Sequence, residues 1–346
     1  MNVAVVTSSP LFAEGGHLVL ARSIVSALRD AGHHAELVVT PQNRFGRQAS
    51  AYMACWLTDV GMTHDGSRVD HVISLRYPAY AVRHPSHVCW LNHRMREYYD
   101  LWDDFNRQLS WKSRLKERAR RRVLHAVDRY LLTRHVRKLF VQSATVQRRL
   151  ERWGSLPSEV LYPPPPPRQY RCDEYGDWFF AVSRLTPLKR MDLLIRALAE
   201  PEAVNVRCVI AGDGPEASRL RQLAADLGVN DRVRLVGAID TASLLDYLAR
   251  CRAVVFPVLN EDYGLVTVEA FASRKAVVTC ADSGGPAELV RHAVSGLVCE
   301  STPSALAGAM ARLAADATLA ERMGGEAALA AAQLTWPKTI DKLLLR

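Results

Sequence analysis

Short apolar runs recur along the whole chain, each followed by a stretch in which apolar residues return at helical spacing. In the first half the runs are 2–7, 35–40, 71–75, 87–91, 138–141 and 159–162. In the second half they are 178–182, 206–211, 234–236, 253–256, 276–279 and 296–299. Most are nearly continuous in Val, Ile, Leu and Ala rather than alternating, as expected of strands buried on both faces. Strands alternating with helices predict an α/β fold with parallel sheets. The first helix is predicted from His17 to about Ala31. Leu20, Ile24, Ala27, Leu28 and Ala31 share one face, and Gly32 ends it.

Five consecutive prolines, Pro163 to Pro167, interrupt this alternation. They can be neither helix nor central strand and favour an extended polyproline conformation. The strand–helix pattern then starts afresh at Trp178. A chain of 346 residues is long for one core. The expected division is therefore a domain over 1–165, a second over 166–335, and a short closing segment, 336–346, that opens with Trp336-Pro337.

Composition is that of an ordinary globular protein, and no apolar run is long enough to span a bilayer. The chain begins directly with a strand and shows no basic, apolar-cored leader, so a cytoplasmic location is expected. Seven cysteines are scattered without a C-x-x-C pair and read as small core residues kept reduced. The net charge is +9 and uneven. Residues 1–165 carry 24 Lys and Arg against 14 Asp and Glu, and 107–138 alone carry 12 against 2.

The richest chemistry lies in Pro257-Val258-Leu259-Asn260-Glu261-Asp262-Tyr263-Gly264-Leu265-Val266-Thr267-Val268-Glu269-Ala270. An apolar strand precedes it, and a helix is expected to begin near Gly264. The unpaired N–H groups and dipole of a helix start favour a phosphate. Glu261 is expected in the turn and Glu269 about one turn into the helix. Downstream come a further strand and Asp282-Ser283-Gly284-Gly285-Pro286-Ala287-Glu288. Upstream, Arg184 follows strand 178–182 and Lys189 stands near the next helix, two cations able to neutralise a diphosphate.

From Pro257 to Val298 this pattern resembles the E-x7-E region and following G-G-x-x-E turn of retaining GT-B glycosyltransferases of family 4 (glycosyl transferases group 1). The resemblance is strong over 177–336 and looser over 1–162. It implies two Rossmann-like, doubly wound domains facing an interdomain cleft, with a last helix that often crosses back onto the N-terminal domain. It implies that a hexose passes from a UDP- or GDP-sugar to an acceptor hydroxyl, with the nucleophile entering on the face the nucleotide leaves. Glu261 would bind donor sugar hydroxyls, Glu269 the ribose, and Arg184 and Lys189 the diphosphate. The N–H groups of Gly264, Leu265 and Val266 would meet the same phosphates. Gly212 and Gly214, in Gly212-Asp213-Gly214-Pro215, would line the nucleotide site, and the segment ending at Ile239 would hold the base. Gly15 and Gly16 resemble the N-terminal glycine loop that closes over the donor phosphate. His93, just past strand 87–91, would stand beside the anomeric centre and acceptor.

Gly15-Gly16 is not a G-x-G-x-x-G motif, and strand 35–40 ends Val39-Thr40-Pro41 without an acidic residue, so a dinucleotide cofactor is disfavoured. No Asp-x-Asp triplet occurs, and His84 with His87 is a weak metal pair. Neither cofactor nor metal is expected. The basic stretch Arg107 to Lys138 has three readings: a solvated helix face, adhesion to anionic lipid at the inner face of a membrane, or contact with an anionic acceptor. No motif for nucleic acid accompanies it. A non-catalytic nucleotide-sugar sensor or scaffold on the same fold is the rival to an enzyme.

Overall fold

The computed structural model describes residues 1–12, 15–42 and 46–346. The chain divides into two compact units. The first joins Met1–Pro167 with Thr335–Arg346, and the second is Arg168–Leu334.

The first unit holds a six-stranded parallel sheet. Its strands are β1 (Asn2–Ser9), β2 (His34–Pro41), β3 (His71–Ser74), β4 (His87–Leu91), β5 (Lys138–Val141) and β6 (Glu159–Val160), in the order β2-β1-β3-β4-β5-β6. The strands carry apolar residues on both faces, so both faces are covered by helices. Ala4, Val6, Val72, Cys89, Leu91, Leu139 and Val141 face one core. The helix Gly16–Asp30 packs on the sheet and meets the last helix, Trp336–Leu343. That last helix is tied in by two distant hydrogen bonds. Trp336 donates from Nε1 to the Pro165 carbonyl at 2.9 Å, and His71 Nε2 lies 2.9 Å from the Leu343 carbonyl.

Most of the basic stretch forms one helix, Trp111–Arg134, preceded by the short helix Trp102–Arg107. Ser110 caps the long helix: its hydroxyl accepts from the Ser113 N–H.

The second unit holds β7 (Trp178–Val182), β8 (Arg207–Ala211), β9 (Val233–Gly237), β10 (Val254–Val255), β11 (Val277–Cys280) and β12 (Gly296–Cys299), in the order β12-β11-β10-β7-β8-β9. Neighbouring residues on one strand enter different cores. Phe179 and Ala181 face one side, and Phe180 faces the other. The sheet is thus wound on both faces. β10 is short because only Val254 and Val255 make ladder pairs, although Ala253 and Phe256 beside them are equally buried. Each sheet is a Rossmann-like layer, and in such sheets ligands bind beyond the C-terminal strand ends where the strand order reverses. In the second unit that point lies between β7 and β10.

Candidate functional site

Three of the expected donor-site residues follow the two strands that flank this reversal point, and two of them, Lys189 and Glu261, make contact. Arg184, exposed, is the second residue after β7. Lys189 ends the short 3₁₀ turn Pro187–Lys189. Glu261 follows β10. The Lys189 ammonium lies 2.6 Å from Glu261 Oε2, with both side chains about one-fifth exposed, and sits 5.6 Å from the centre of the Phe256 ring.

The backbone of Glu261 is fixed by the neighbouring loop after β11. The Glu261 N–H donates to the Ser283 carbonyl at 2.9 Å, and the Glu261 carbonyl accepts from the Gly285 N–H at 3.0 Å. The Asp282-Ser283-Gly284-Gly285 turn therefore acts here as the frame for Glu261.

Arg190, a position to which the sequence assigns no role, completes this frame. Its φ of 48° is left-handed, a conformation in which glycine is at home. Its guanidinium reaches the carbonyls of Pro257 (2.7 Å) and Val258 (2.8 Å) and both carboxylate oxygens of Asp282. Burial of Asp282 works against ionisation, but Arg190 and nearby donors hold its carboxyl below the usual range. One arginine thus staples the segment leading to Glu261 onto the loop that supports it.

Gly264 precedes the helix Leu265–Ala272 with φ of 80°, where a Cβ would lie 2.9 Å from both the Phe256 ring and the Pro286 ring. Leu265 and Val266 open that helix, and their N–H groups belong to the first turn, which has no intrahelical acceptors. Glu269, in the same helix, is 5% exposed. Arg168 donates to its Oε1 and the Tyr170 hydroxyl lies 3.5 Å from the same oxygen. Burial pushes the Glu269 carboxyl up to about 7, against the pull of Arg168 and Tyr170. Neither partner is signalled in the sequence. Both come from the stretch just after the prolines, where no periodic pattern marks them.

The turn Gly212-Asp213-Gly214 follows β8. A Cβ on Gly212, whose φ is 128°, would stand 1.8 Å from the Ser183 carbonyl oxygen. The Leu185 N–H donates to the Asp213 carbonyl at 2.9 Å, and the Gly212 N–H to Gly237 at 2.7 Å. Gly212 and Gly214 therefore let three strand-end loops touch backbone to backbone. Ile239, half-buried, packs against the Phe180 side of the sheet.

The remaining expected residues belong to the first unit. Gly15 precedes the helix Gly16–Asp30, and its carbonyl accepts from the N–H groups of Leu18 and Val19 at 3.0 and 3.2 Å. The adjacent His17 places Nε2 3.2 Å from Ser9 Oγ. His93 stands two residues past β4. Its Nδ1 is 2.6 Å from the Arg94 carbonyl, which can only accept, so Nδ1 carries the proton. His84 and His87 do not converge. His87 bonds Ser74 Oγ at 2.8 Å, while His84 spans the carbonyls of Ser86 and Val69.

With this geometry established, comparison with known proteins adds a family and a fold. The model of the family "Glycosyl transferases group 1" matches residues 168–329. The chain is 34% identical over 174 residues to the D-inositol 3-phosphate glycosyltransferase of Nocardia farcinica, covering 47% of this chain and 38% of that protein. It is 37% identical over 148 residues to an exopolysaccharide phosphotransferase of Streptomyces coelicolor, covering 42% of this chain and 16% of that protein. The match thus spans less than half the length of either curated relative. The structure of Anabaena HepE, in complex with UDP and glucose, superposes with a TM-score of 0.69 at 18% identity and covers 98% of both chains. No helix among the described residues is long and apolar enough to cross a membrane. Residues 168–329 therefore form a glycosyl transferases group 1 domain, in a chain with the GT-B fold.

Proposed function

We propose that the chain is a retaining glycosyltransferase of family 4 that moves a hexose from a UDP- or GDP-sugar to an acceptor hydroxyl. The observation that carries the reading is the Lys189–Glu261 pair, held at the strand-order reversal of the second unit beside the first turn of the helix Leu265–Ala272. Cation, carboxylate and helix N-terminus are the three groups that a sugar diphosphate needs. Family membership of residues 168–329 supports an enzyme over a sensor, and the UDP and glucose bound by HepE support a uridine donor.

In this reading Arg184, Lys189 and the first-turn N–H groups of Gly264, Leu265 and Val266 stabilise the departing diphosphate, so no metal is required. Glu261 accepts hydrogen bonds from the donor sugar, and Lys189 is shared between it and the phosphates. Glu269 accepts from the ribose. His93 and the Gly15-Gly16 turn serve the acceptor side and donor phosphate. The acceptor oxygen attacks the anomeric carbon on the face from which the nucleotide leaves, and its proton passes to the leaving phosphate oxygen. The basic helix Trp111–Arg134 lies against an anionic membrane surface at the cytoplasmic face.

The test is nucleotide release from a panel of UDP- and GDP-sugars without acceptor or metal. Release from one donor, lost in Glu261→Ala, supports the reading. Thermal stabilisation by a nucleotide sugar with no turnover, with or without lipid acceptors, favours the sensor. No response to any donor overturns both.

A further inference from the structure

The first unit contains a large concavity lined by none of the expected site residues. It is a groove of about 790 Å³ between the helices Gln48–Leu57 and Trp111–Arg134. Its walls are apolar: Tyr52, Met53 and Trp56 from one helix, Val123, Leu124 and Val127 from the other. Met53 and Val123, at its lips, are 54% and 62% exposed. Cavities of this size suit one small ligand, and apolar surface left open to water at such a place marks a binding site.

The groove has a direction. Both helices lie in βα crossovers of a parallel sheet. Gln48–Leu57 follows β2, and Trp111–Arg134 runs into β5. Each therefore starts near the C-terminal strand ends, and the walls run side by side. Arg47, Gln48 and Arg120 line the end near that rim, and Trp56 and Tyr130 the far end. From Arg120 to Leu131 the helical rise gives a length of roughly 17 Å. The rim end is joined to the chain that follows His93, because Gln48 Nε2 lies 3.3 Å from the Tyr98 hydroxyl. The groove thus leads to the rim on which the expected acceptor-side residues stand.

Its surroundings select the charge of the occupant. The helix Trp111–Arg134 has two acidic residues, and both are turned inward. Glu117 is 8% exposed, accepting from the Tyr98 hydroxyl at 2.7 Å and paired with Arg120. Asp128 is 1% exposed and accepts from the hydroxyls of Tyr52, Tyr80 (2.6 Å) and Tyr99 (2.7 Å). The outer face is left with Lys112, Lys116, Arg118, Arg122 and Arg129, interleaved with exposed Trp111 and Leu115. An apolar slot beside an all-basic face is complementary to an amphiphile with an apolar tail and an anionic head.

We propose that the groove holds the acyl chain of an anionic membrane lipid, and that this lipid is the acceptor. The tail lies between the two helices, the phosphate of the head meets Arg47 and the basic face, and the hydroxyl reaches the rim beside His93. The proposal deepens the transferase reading and rests on it for the word acceptor. The tail site itself does not.

Two measurements separate those dependences. The full chain is titrated with alkyl phosphates of increasing chain length, each below its micellar concentration. Affinity should rise about fourfold per added methylene until the groove is full. Met53→Glu and Val123→Glu place carboxylates at exposed lip positions and should lower affinity for the longer chains more than tenfold, with circular dichroism and melting unchanged. Arg118→Gln, outside the groove, should weaken binding to phosphatidylglycerol vesicles yet keep the chain-length dependence. Affinity independent of chain length, or wild-type binding in Met53→Glu, overturns the tail site. Concentration-dependent dimers abolished by Met53→Glu overturn it in favour of a self-interface. Donor hydrolysis by the same variants without lipid reports the transferase reading separately. If tail binding holds but no hydroxyl of an anionic lipid becomes glycosylated while water does, the acceptor assignment falls and the tail site stands.

Discussion

Arg168 and Glu269 meet in the second unit although 101 positions separate them in the chain. Arg168 is the first residue after the prolines, and Glu269 is buried in the helix that follows the Glu261 turn. The residue expected to hold the donor ribose is thus gripped by the first link of its own unit.

This contact predicts a pH dependence. The Glu269 carboxyl is raised to about 7 by burial, above its ordinary value of 4.5. The folded chain therefore binds an extra proton between those values, and stability falls as pH rises through that window, then levels off above it. Arg168→Gln removes the opposing cation, so the decline should continue to higher pH. Breaking one side of a buried pair costs about 3–5 kcal/mol at alkaline pH, and less near pH 6, where the carboxyl takes up a proton. Urea unfolding at a series of pH values checks this, and identical profiles for the two proteins would refute it.

The same titration should govern nucleotide binding. A carboxylate accepts two ribose hydroxyls better than a carboxylic acid does, so UDP affinity should rise through about pH 7. Glu269→Gln should weaken binding and flatten that rise. Calorimetric titration of both proteins with UDP cancels the ionisation of the nucleotide itself. A pH profile unchanged in Glu269→Gln removes the ribose assignment.

Lys189→Ala and Arg184→Ala should each lower turnover more than tenfold, with smaller effects on donor affinity, because each charge acts most on the departing diphosphate. Lys189→Ala also leaves the Glu261 carboxylate without its cation, so its loss should exceed that of Glu261→Gln. Steady-state kinetics with the donor found in the release panel gives the comparison. Full turnover in both alanine variants removes the diphosphate role.

Arg190 should behave as a positioning residue. Arg190→Ala deletes charge-assisted bonds to Pro257, Val258 and Asp282 and should destabilise by about 1.5–3 kcal/mol. It should lower kcat more than donor KM, because the Glu261 loop loses its staple. Arg190→Gly, which suits the left-handed backbone, should recover part of the stability and none of the kcat. Equal kcat in the alanine variant and the wild type would reduce Arg190 to a stability residue.

Gly212→Ala should destabilise by ~3 kcal/mol or more, since its Cβ would overlap the Ser183 carbonyl oxygen at a backbone angle that disfavours side chains. Thermal melting checks this. A melting temperature within a degree of wild type would mean that the loops after β7 and β8 part easily.

The pattern of apolar runs placed every strand because a strand buried on both faces leaves a local mark. Glu261, Lys189 and Glu269 were singled out by the family resemblance of the segments that carry them, together with their expected places in turns and helix starts. What the sequence did not disclose depends on contacts across long separations. Arg190 reads as one more surface cation until its fork is seen to reach Asp282, 92 residues on. Arg168 and Tyr170 lie in a stretch without periodicity. The inward turn of Glu117 and Asp128 is hidden in a helix so basic that its two carboxylates look like incidental salt-bridge partners. The tyrosines that hold Asp128 come from three separate segments.

The first unit is discontinuous: its sheet is built before Pro167, and its last helix comes from Thr335–Arg346. A ribosome delivers the whole second unit between these two parts. Until Leu343 emerges, the buried ring of His71 lacks the carbonyl that caps it, and the helix Gly16–Asp30 lacks its partner. The nascent first unit must therefore wait, incompletely covered, while about half of the chain is synthesised and folds as its own unit. Birth order thus runs opposite to order of completion: of the two units, the one begun earlier is sealed later.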